Sequence, residues 1–348
     1  MVSIGEHLIG SGRPVFLIAE AGVNHNGDLD KALRLVQAAK RAGADAIKFQ
    51  TFRSEALVSR EARKADYQAR NTGATGSQLD MLRRLELSPE AFRTIQEECR
   101  SAGIVFLSTP FDPESASFLA ELGVPAFKIG SGDITNHPLL AQMAALRQTL
   151  ILSTGMSTLE EIEEAIGTIR IHGNPPLILL HCLSTYPAPC EEYNLRAMYT
   201  MEQAFRLPVG LSDHTLGWEV TLGAVALGAR VIEKHFTLDR SLPGPDHSAS
   251  LEPAELALMI AQVRRLESAM GDGIKRPMPS EMNTREAARK SVVVTRDLPA
   301  GTILREADLA IKRPGTGLPP GAIHGIPGKV LLVPLSADSV LLQEHIGD

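Results

Sequence analysis

The sequence predicts an α/β protein, a closed (β/α)8 TIM barrel followed by a small β-rich domain, and three observations lead there. Eight short apolar runs alternate with longer amphipathic stretches over roughly the first 270 residues, the strand and helix count of that barrel. Gly or Pro recurs ahead of the runs, as the short connections of such a fold require. From Ser291 the texture changes to short β-prone segments separated by tight turns.

Taken in order, the expected strands are 15–19, 46–49, 105–108, 126–129, 150–153, 177–181, 209–211 and 231–233. Helical periodicity marks 30–42, 89–102, 159–171, 193–205 and 218–227, and the stretch 253–270 closes the ring. An open doubly wound sheet would need a glycine-rich phosphate turn after an early strand, and Glu20-Ala-Gly-Val-Asn-His-Asn-Gly is not a G-x-G-x-x-G. The barrel is therefore assigned to residues 1–274. Residues 275–288, which begin Lys275-Arg-Pro-Met-Pro-Ser, read as a linker, and 289–348 form the second domain. At about 60 residues that domain is near the lower limit for an independent core. Its stretch Lys312-Arg-Pro-Gly-Thr-Gly-Leu-Pro-Pro-Gly reads as a loop presenting Arg313.

Composition narrows the function. With 348 residues, 44% hydrophobic and 22% charged, the chain is an ordinary globular protein, and a net charge of −6 argues against a general polyanion-binding surface such as nucleic acid needs. No apolar run is long enough to span a membrane, and Met-Val-Ser-Ile-Gly-Glu lacks the features of a signal segment, so a cytoplasmic protein is expected. Three cysteines, Cys99, Cys182 and Cys190, suit free thiols better than disulfides or a structural metal.

A barrel of this kind places its active site at the carboxyl ends of the strands, so the polar residue ending each apolar run becomes a candidate. These are Glu20, Lys48 with Gln50, Ser108 with Thr109, Lys128 with Ser131, Ser153 with Thr154, His181 with Ser184 and Tyr186, Ser212 with His214, and Lys234 with His235. Lysines, hydroxyls and the backbone amides exposed at Gly130, Gly132 and Gly155 suit a phosphate ester. Helix capping accounts for Ser157 and Thr154 equally well. His214 and His235 lie 21 residues apart, one strand-helix repeat, so both imidazoles emerge at one sheet end, close enough to share a divalent metal. Glu20 would face them across the barrel mouth, or form an ion pair with Lys48 or Lys128. Asp246, in Pro243-Gly-Pro-Asp-His, is either a further contact or simple turn chemistry.

The motifs Ile18-Ala-Glu-Ala-Gly-Val-Asn-His-Asn-Gly, Ile47-Lys-Phe-Gln-Thr, Phe106-Leu-Ser-Thr-Pro-Phe, Phe127-Lys-Ile-Gly-Ser-Gly-Asp, Leu152-Ser-Thr-Gly-Met, His181-Cys, Tyr186-Pro, Gly210-Leu-Ser-Asp-His-Thr, Glu233-Lys-His-Phe-Thr and Gly244-Pro-Asp follow one another in this order. With them the chain resembles, nearly end to end, the bacterial N-acetylneuraminate (sialic acid) synthases, including the legionaminate synthases. The carboxy-terminal part, with its Lys312-Arg-Pro-Gly loop, is similar to the antifreeze-like (SAF) domain fused in those enzymes.

That resemblance implies condensation of phosphoenolpyruvate with an N-acetylmannosamine-type sugar, releasing phosphate by C–O cleavage. His214 and His235 match metal-binding histidines, usually for Mn2+, with Mg2+ or Co2+ as alternatives. Lys48, Thr109, Lys128, Ser131, Ser153 and Ser212 match residues that hold phosphoenolpyruvate, as does Ser184, at a position where some sialic acid synthases carry Asn. Glu20 and Tyr186 match catalytic positions, and Gln50 and Asp246 sugar-side ones. Arg313 matches an arginine that contacts the N-acetyl group from the partner of a domain-swapped homodimer. The stretches Lys64-Ala-Asp-Tyr-Gln and Ser77-Gln-Leu-Asp-Met-Leu resemble the legionaminate branch, and Gly130-Ser-Gly-Asp and Gly244-Pro-Asp-His are more similar to the neuraminate and legionaminate branches than to the pseudaminate branch. A Schiff-base aldolase using Lys128 or Lys234 is the rival enzyme reading. A non-enzymatic sugar-binding protein, suggested by the antifreeze-like tail alone, fits the polar strand ends poorly.

Overall fold

An antiparallel hairpin of β1 (Val2–Ile4) and β2 (His7–Ile9) opens the computed structural model, which describes residues 1–73 and 75–348. Eight parallel strands follow: β3 (Phe16–Gly22), β4 (Ala46–Thr51), β5 (Val105–Pro110), β6 (Ala126–Ile129), β7 (Thr149–Ser153), β8 (Leu177–Cys182), β9 (Val209–Asp213) and β10 (Val231–His235). They pair in chain order and close when β10 joins β3, from Val231↔Phe16 to His235↔Glu20. The expected strands are all present, most of them one to three residues longer at the carboxyl end.

Helices α1 (Leu29–Ala42), α2 (Ser54–Leu57), α3 (Asp66–Thr72), α4 (Gln78–Arg83), α5 (Pro89–Ala102), α6 (Pro113–Leu122), α7 (His137–Ala145), α8 (Leu159–His172), α9 (Ala197–Phe205), α10 (Glu219–Ala226) and α11 (Pro253–Met270) fill the connections. Their ends are chemically marked. The Asp28 side chain accepts from Lys31 N at the start of α1, and Gly43 takes a left-handed conformation, φ 90°, at its end. For α8 the cap is Thr158, in a reciprocal capping box with Glu161, and not the Ser157 or Thr154 that the sequence suggested. Thr154 Oγ1 instead donates to Leu180 O. Helix α9 begins at Ala197 and not at 193, because Cys190–Glu192 forms a 3-10 turn and Tyr193 is buried beside it. Helices α2 to α4 form an excursion between β4 and α5 that periodicity did not reveal, each being too short to carry a stripe.

Strand alternation divides the barrel into two cores. Phe16, Ile18, Ala46, Leu107, Ile151, Ile178, Leu180 and Val231 fill the interior, and Val2, Ile4 and Ile9 of the hairpin join them, closing the amino end. Thr149 Oγ1 donates to Ser3 O there. Leu17, Ile47, Phe127, Leu150, Leu179 and Leu211 face the helices instead. With the lower end plugged, the carboxyl end is where the interior opens.

Contacts divide the chain into two units, Met1–Gly271 and Asp272–Asp348. In the second, β11 (Ser291–Val294) pairs with β12 (Leu309–Lys312) and β13 (Val330–Leu331) with β14 (Ile346–Gly347), around Val292, Val294, Leu304, Leu331 and Leu341. The supposed linker 275–288 is corrected in its second half, where α12 (Met282–Ala288) forms. Its side chains are exposed throughout, so no apolar period announced it. Gly315 N donates to Glu286 O and Arg313 Nε to Ala288 O, fastening this helix to the Arg313 loop. Among the described residues no helix is long and apolar enough to cross a membrane.

Gly210 sits on the inner face of β9, where an added Cβ would lie 2.3 Å from Val231 O and 2.8 Å from a Leu180 methyl. The carbonyl belongs to the neighbouring barrel strand and has little freedom to retreat. Gly210→Ala should therefore lower stability by about 1–3 kcal/mol, read as a shifted urea or thermal midpoint.

Candidate active site

Above the inner apolar layer the inward positions turn polar, and they line a cavity of about 450 Å³ at the barrel mouth. Glu20, Lys48, Gln50, Thr109, Lys128, Ser131, Ser153, Ser184, Tyr186, Ser212, His214, His235 and Asp246 all line it. Thirteen of the fourteen site residues expected from sequence are thus brought together; Arg313 belongs to the second unit.

The floor is a set of buried charges. Lys48 Nζ lies 2.7 Å from Glu20 Oε2 and 3.7 Å from Glu233 Oε2, while Lys128 Nζ lies 3.7 Å from Glu233 Oε1. All four side chains are at most 5% exposed. Burial pushes the Glu20 carboxyl up to about 7, against the pull of Lys48. Burial opposes charge on Glu233 and Lys48 as well, but the opposite charges around them outweigh it, holding Glu233 below the ordinary carboxylate range and Lys48 above the ordinary amine. Lys128, with only distant carboxylates, is lowered by burial.

Hydroxyls surround the Lys128 side. Lys128 Nζ donates to Ser153 Oγ at 2.7 Å and to Ile129 O at 3.1 Å, and Lys48 Nζ donates to Thr109 Oγ1 at 3.0 Å. Ser131, Ser184 and Cys182 converge on Gly155, where an added Cβ would stand 2.2 Å from Ser184 Oγ, 2.8 Å from Ser131 Oγ and 3.3 Å from Cys182 Sγ. The bare glycine leaves room for that cradle. Its amide, expected to face a ligand, donates instead to Ser131 Oγ. Glu20, Gln50 and Asp246 converge in the same way on Gly22, within 3.2, 3.5 and 3.7 Å of its would-be Cβ. Asp246 is buried and not a simple surface turn residue, and burial raises its carboxyl to about 6.

The imidazoles of His214 and His235 meet edge-on with centroids 5.3 Å apart, and the Tyr186 ring lies tilted 4.1 Å from that of His214. His214 Nδ1 bonds to Leu183 O at 2.7 Å, leaving Nε2 as the ring's other donor atom for a ligand. Nε2 has a single long contact, 3.4 Å to Ser212 Oγ. His235 Nδ1 is buried with no hydrogen-bond partner among the described residues, and burial holds this ring well below the ordinary histidine value. Two neighbouring imidazoles, one kept neutral with an orphaned nitrogen, fit a divalent cation.

Strand parity corrects several sequence expectations. Lys234 is turned out of the barrel, where it pairs with Asp213 at 3.2 Å and is fully buried, so it cannot serve as an imine-forming lysine of this cavity. His181 also points outward, bonding Tyr193 O, and Ser108 bonds Thr51 on the outer face at 2.7 Å. Their inward neighbours Glu233, Cys182 and Thr109 hold the cavity positions. Of these, Glu233 and Cys182 went unassigned. Counting back two residues from His235 and forward two from Leu180 would have found both. The outer wall, including Leu57, Val58, Tyr67, Gln68, Gln78, Met81 and Leu82, comes from the α2–α4 excursion.

Comparison with known proteins identifies the family. The chain is 49% identical over 341 residues to an N,N'-diacetyllegionaminic acid synthase from Legionella pneumophila, covering 97% of this chain and 96% of that one. It is 38% identical to the human N-acetylneuraminate-9-phosphate synthase, covering 97% and 94%. A crystal structure of an N-acetylneuraminic acid synthetase from Leptospira borgpetersenii matches with a TM-score of 0.73 at 38% identity, over 81% of this chain and 94% of that one. The SAF domain profile matches residues 289–347 and the NeuB family profile residues 35–275, and the chain belongs to the NeuB family.

Proposed function

We propose that the chain is a nonulosonate synthase that joins C3 of phosphoenolpyruvate to the aldehyde carbon of an open-chain N-acetylated amino sugar. The observation that carries this reading is a single cavity with buried lysines amid hydroxyls on one side and two adjacent imidazoles on the other. Lys128, Ser131, Ser153 and Ser184 suit the phosphate, since hydroxyl and ammonium donors converge there. Lys48, Thr109 and Ser212 complete the phosphoenolpyruvate side. His214 and His235 would hold a divalent cation, Mn2+ first, with Mg2+ or Co2+ as alternatives. When bound, the ion supplies Lewis-acid polarisation of the sugar aldehyde.

In the reaction C3 bonds to the aldehyde carbon, whose oxygen takes up a proton, and C2 is left cationic. Water adds to C2 and loses a proton, and the C2–O bond to phosphate then breaks as the new C2 hydroxyl gives up its proton to form the 2-keto group, phosphate leaving with the bonding pair. Glu20 suits two of these demands. Its carboxylate stabilises the cationic C2, and a value near 7 lets it exchange a proton at neutral pH. Lys48, 2.7 Å away, sets the orientation of that carboxylate.

For the sugar we propose a 2,4-diacetamido-6-deoxy hexose, giving N,N'-diacetyllegionaminate. The 49% identity to a synthase of that product supports this, and so does the outer wall of the cavity. Leu57, Val58, Met81 and Leu82 present apolar surface there, which favours a methyl over a hydroxyl at the sugar's far end. No arginine or lysine of the excursion is among the described residues that line this wall. A sugar 6-phosphate would meet no lining counter-charge from the described residues of this wall. The role proposed for Arg313, reaching the N-acetyl group from a second copy in a domain-swapped dimer, rests on the family resemblance. Because phosphoenolpyruvate is a cytoplasmic metabolite, we place the enzyme in the cytoplasm.

Glu20→Gln is expected to lower turnover by about 10²- to 10⁴-fold while phosphoenolpyruvate and Mn2+ still bind, measured by phosphate release and calorimetry. Parent-like turnover would remove Glu20 from the mechanism. Gly155→Ala should displace the Ser131 and Ser184 hydroxyls, raising KM for phosphoenolpyruvate with little change in KM for the sugar. In a panel of acceptors, kcat/KM for the diacetamido-6-deoxy sugar should exceed that for N-acetylmannosamine by at least about tenfold, with the 6-phosphate poorest. Preference for N-acetylmannosamine or its 6-phosphate would overturn the sugar assignment and leave the reaction type standing.

A further inference from the structure

We infer that Tyr193 and the Asp213–Lys234 ion pair, all outside the cavity, are positioning residues that set where the two imidazoles stand. The inference rests on the reading of His214 and His235 as metal ligands. The strand ladder cannot hold His214 by itself. Pairing of β9 ends at Ser212 with β8 and at Asp213 with β10, so His214 lies one residue past the last ladder partner. The Tyr193 hydroxyl takes the place of the missing strand: it donates to Ser212 O and accepts from His214 N at 3.1 Å. It therefore bridges the backbone on either side of Asp213. Tyr193 is itself held by packing in the outer core and by the bond between its carbonyl and His181 Nε2.

The second fastening joins the two histidine strands. Asp213 Oδ1 accepts from Thr215 N at 2.9 Å and Thr215 Oγ1 at 2.8 Å, and Oδ2 accepts from Thr221 Oγ1 at 2.6 Å. Lys234 Nζ lies 3.2 Å from Asp213 Oδ2 and donates to Thr215 O at 2.6 Å. Both residues flanking His214 are thus tied to the residue that precedes His235. Asp213 and Lys234 are fully buried, so neither bond competes with water. The Leu183 carbonyl fixes the His214 ring through Nδ1, and the backbone bonds fix the point from which that ring projects.

Tyr193→Phe is the cleanest test, because it removes one oxygen and keeps the buried ring. Free Mn2+ would be followed by electron paramagnetic resonance during titration of the full chain, with phosphoenolpyruvate binding measured by calorimetry without metal. Mn2+ affinity should fall about 10- to 100-fold while phosphoenolpyruvate affinity changes by no more than about threefold, and saturating Mn2+ should restore most of kcat. The double variant Asp213→Asn with Lys234→Met, which removes both charges together, should weaken Mn2+ in the same sense. His214→Ala separates the two levels of the reading. If His214→Ala loses Mn2+ while Tyr193→Phe binds it like the parent, the positioning role is overturned and the metal reading stands. If His214→Ala and parent bind Mn2+ alike, both fall. Equal losses of Mn2+ and phosphoenolpyruvate affinity in Tyr193→Phe, with a lowered melting temperature, would mark a purely structural role and also overturn the proposal.

Discussion

Two lysines and two glutamates are buried together at the mouth of the barrel, and the arrangement of the site depends on keeping them balanced. Lys48, Lys128, Glu20 and Glu233 are formally neutral as a set when Glu20 is ionised, and removing Glu233, which faces both lysines, would strand buried charge at a cost of about 3–5 kcal/mol. The set is uneven. Lys48 is in close contact with Glu20, whereas Lys128 stands 3.7 Å from Glu233 and relies on hydroxyl and carbonyl acceptors. An arriving phosphate can therefore be met by Lys128 without breaking a tight ion pair. Glu20, raised to about 7, can shed its negative charge by taking a proton when an anionic substrate enters.

This imbalance divides the cavity by strand. Hydroxyl donors cluster on the loops after β6 to β8, the carboxylates Glu20 and Asp246 with Gln50 meet near Gly22, and the imidazoles stand over β9 and β10. The site's strand residues occupy inward positions, and on β5, β8, β9 and β10 an outward polar neighbour makes a supporting contact. Asp213 and Lys234 brace the strands of the histidines, His181 holds Tyr193, and Ser108 ties β5 to β4. The polar outer faces at the carboxyl ends are thus the scaffold of the polar inner ones.

The barrel was legible because eight apolar runs bounded by turns leave few other topologies, and the strand ends marked the site. Parity was not legible from those ends. A residue that terminates an apolar run has even odds of facing in or out, and the facing is fixed by how the inner layer packs when the barrel closes. Hence Lys234 and His181 were assigned to the rim while Glu233 and Cys182, their neighbours, line the cavity. Helices α2 to α4 were hidden for another reason. Each spans at most two turns and packs as a cap, with Met81, Leu82 and Leu85 against Val23 and Phe52, so no helical stripe forms in the sequence. Helix α12 was hidden by exposure on every face.

The same division explains how one barrel can serve different sugars. The charged floor is built from strand residues whose facing is dictated by closure, so changing it means breaking a balanced buried set. The outer wall comes from an excursion that contributes no strand to the barrel, so its side chains can change without disturbing the ladder. A relative named for a legionaminic acid product and another named for a 9-phosphorylated neuraminate match this chain over nearly its full length. Selectivity placed on the half-buried Leu57 and Val58 lies where substitution disturbs the barrel least. Chemistry placed on Glu20, Lys48 and Lys128 lies where it costs most.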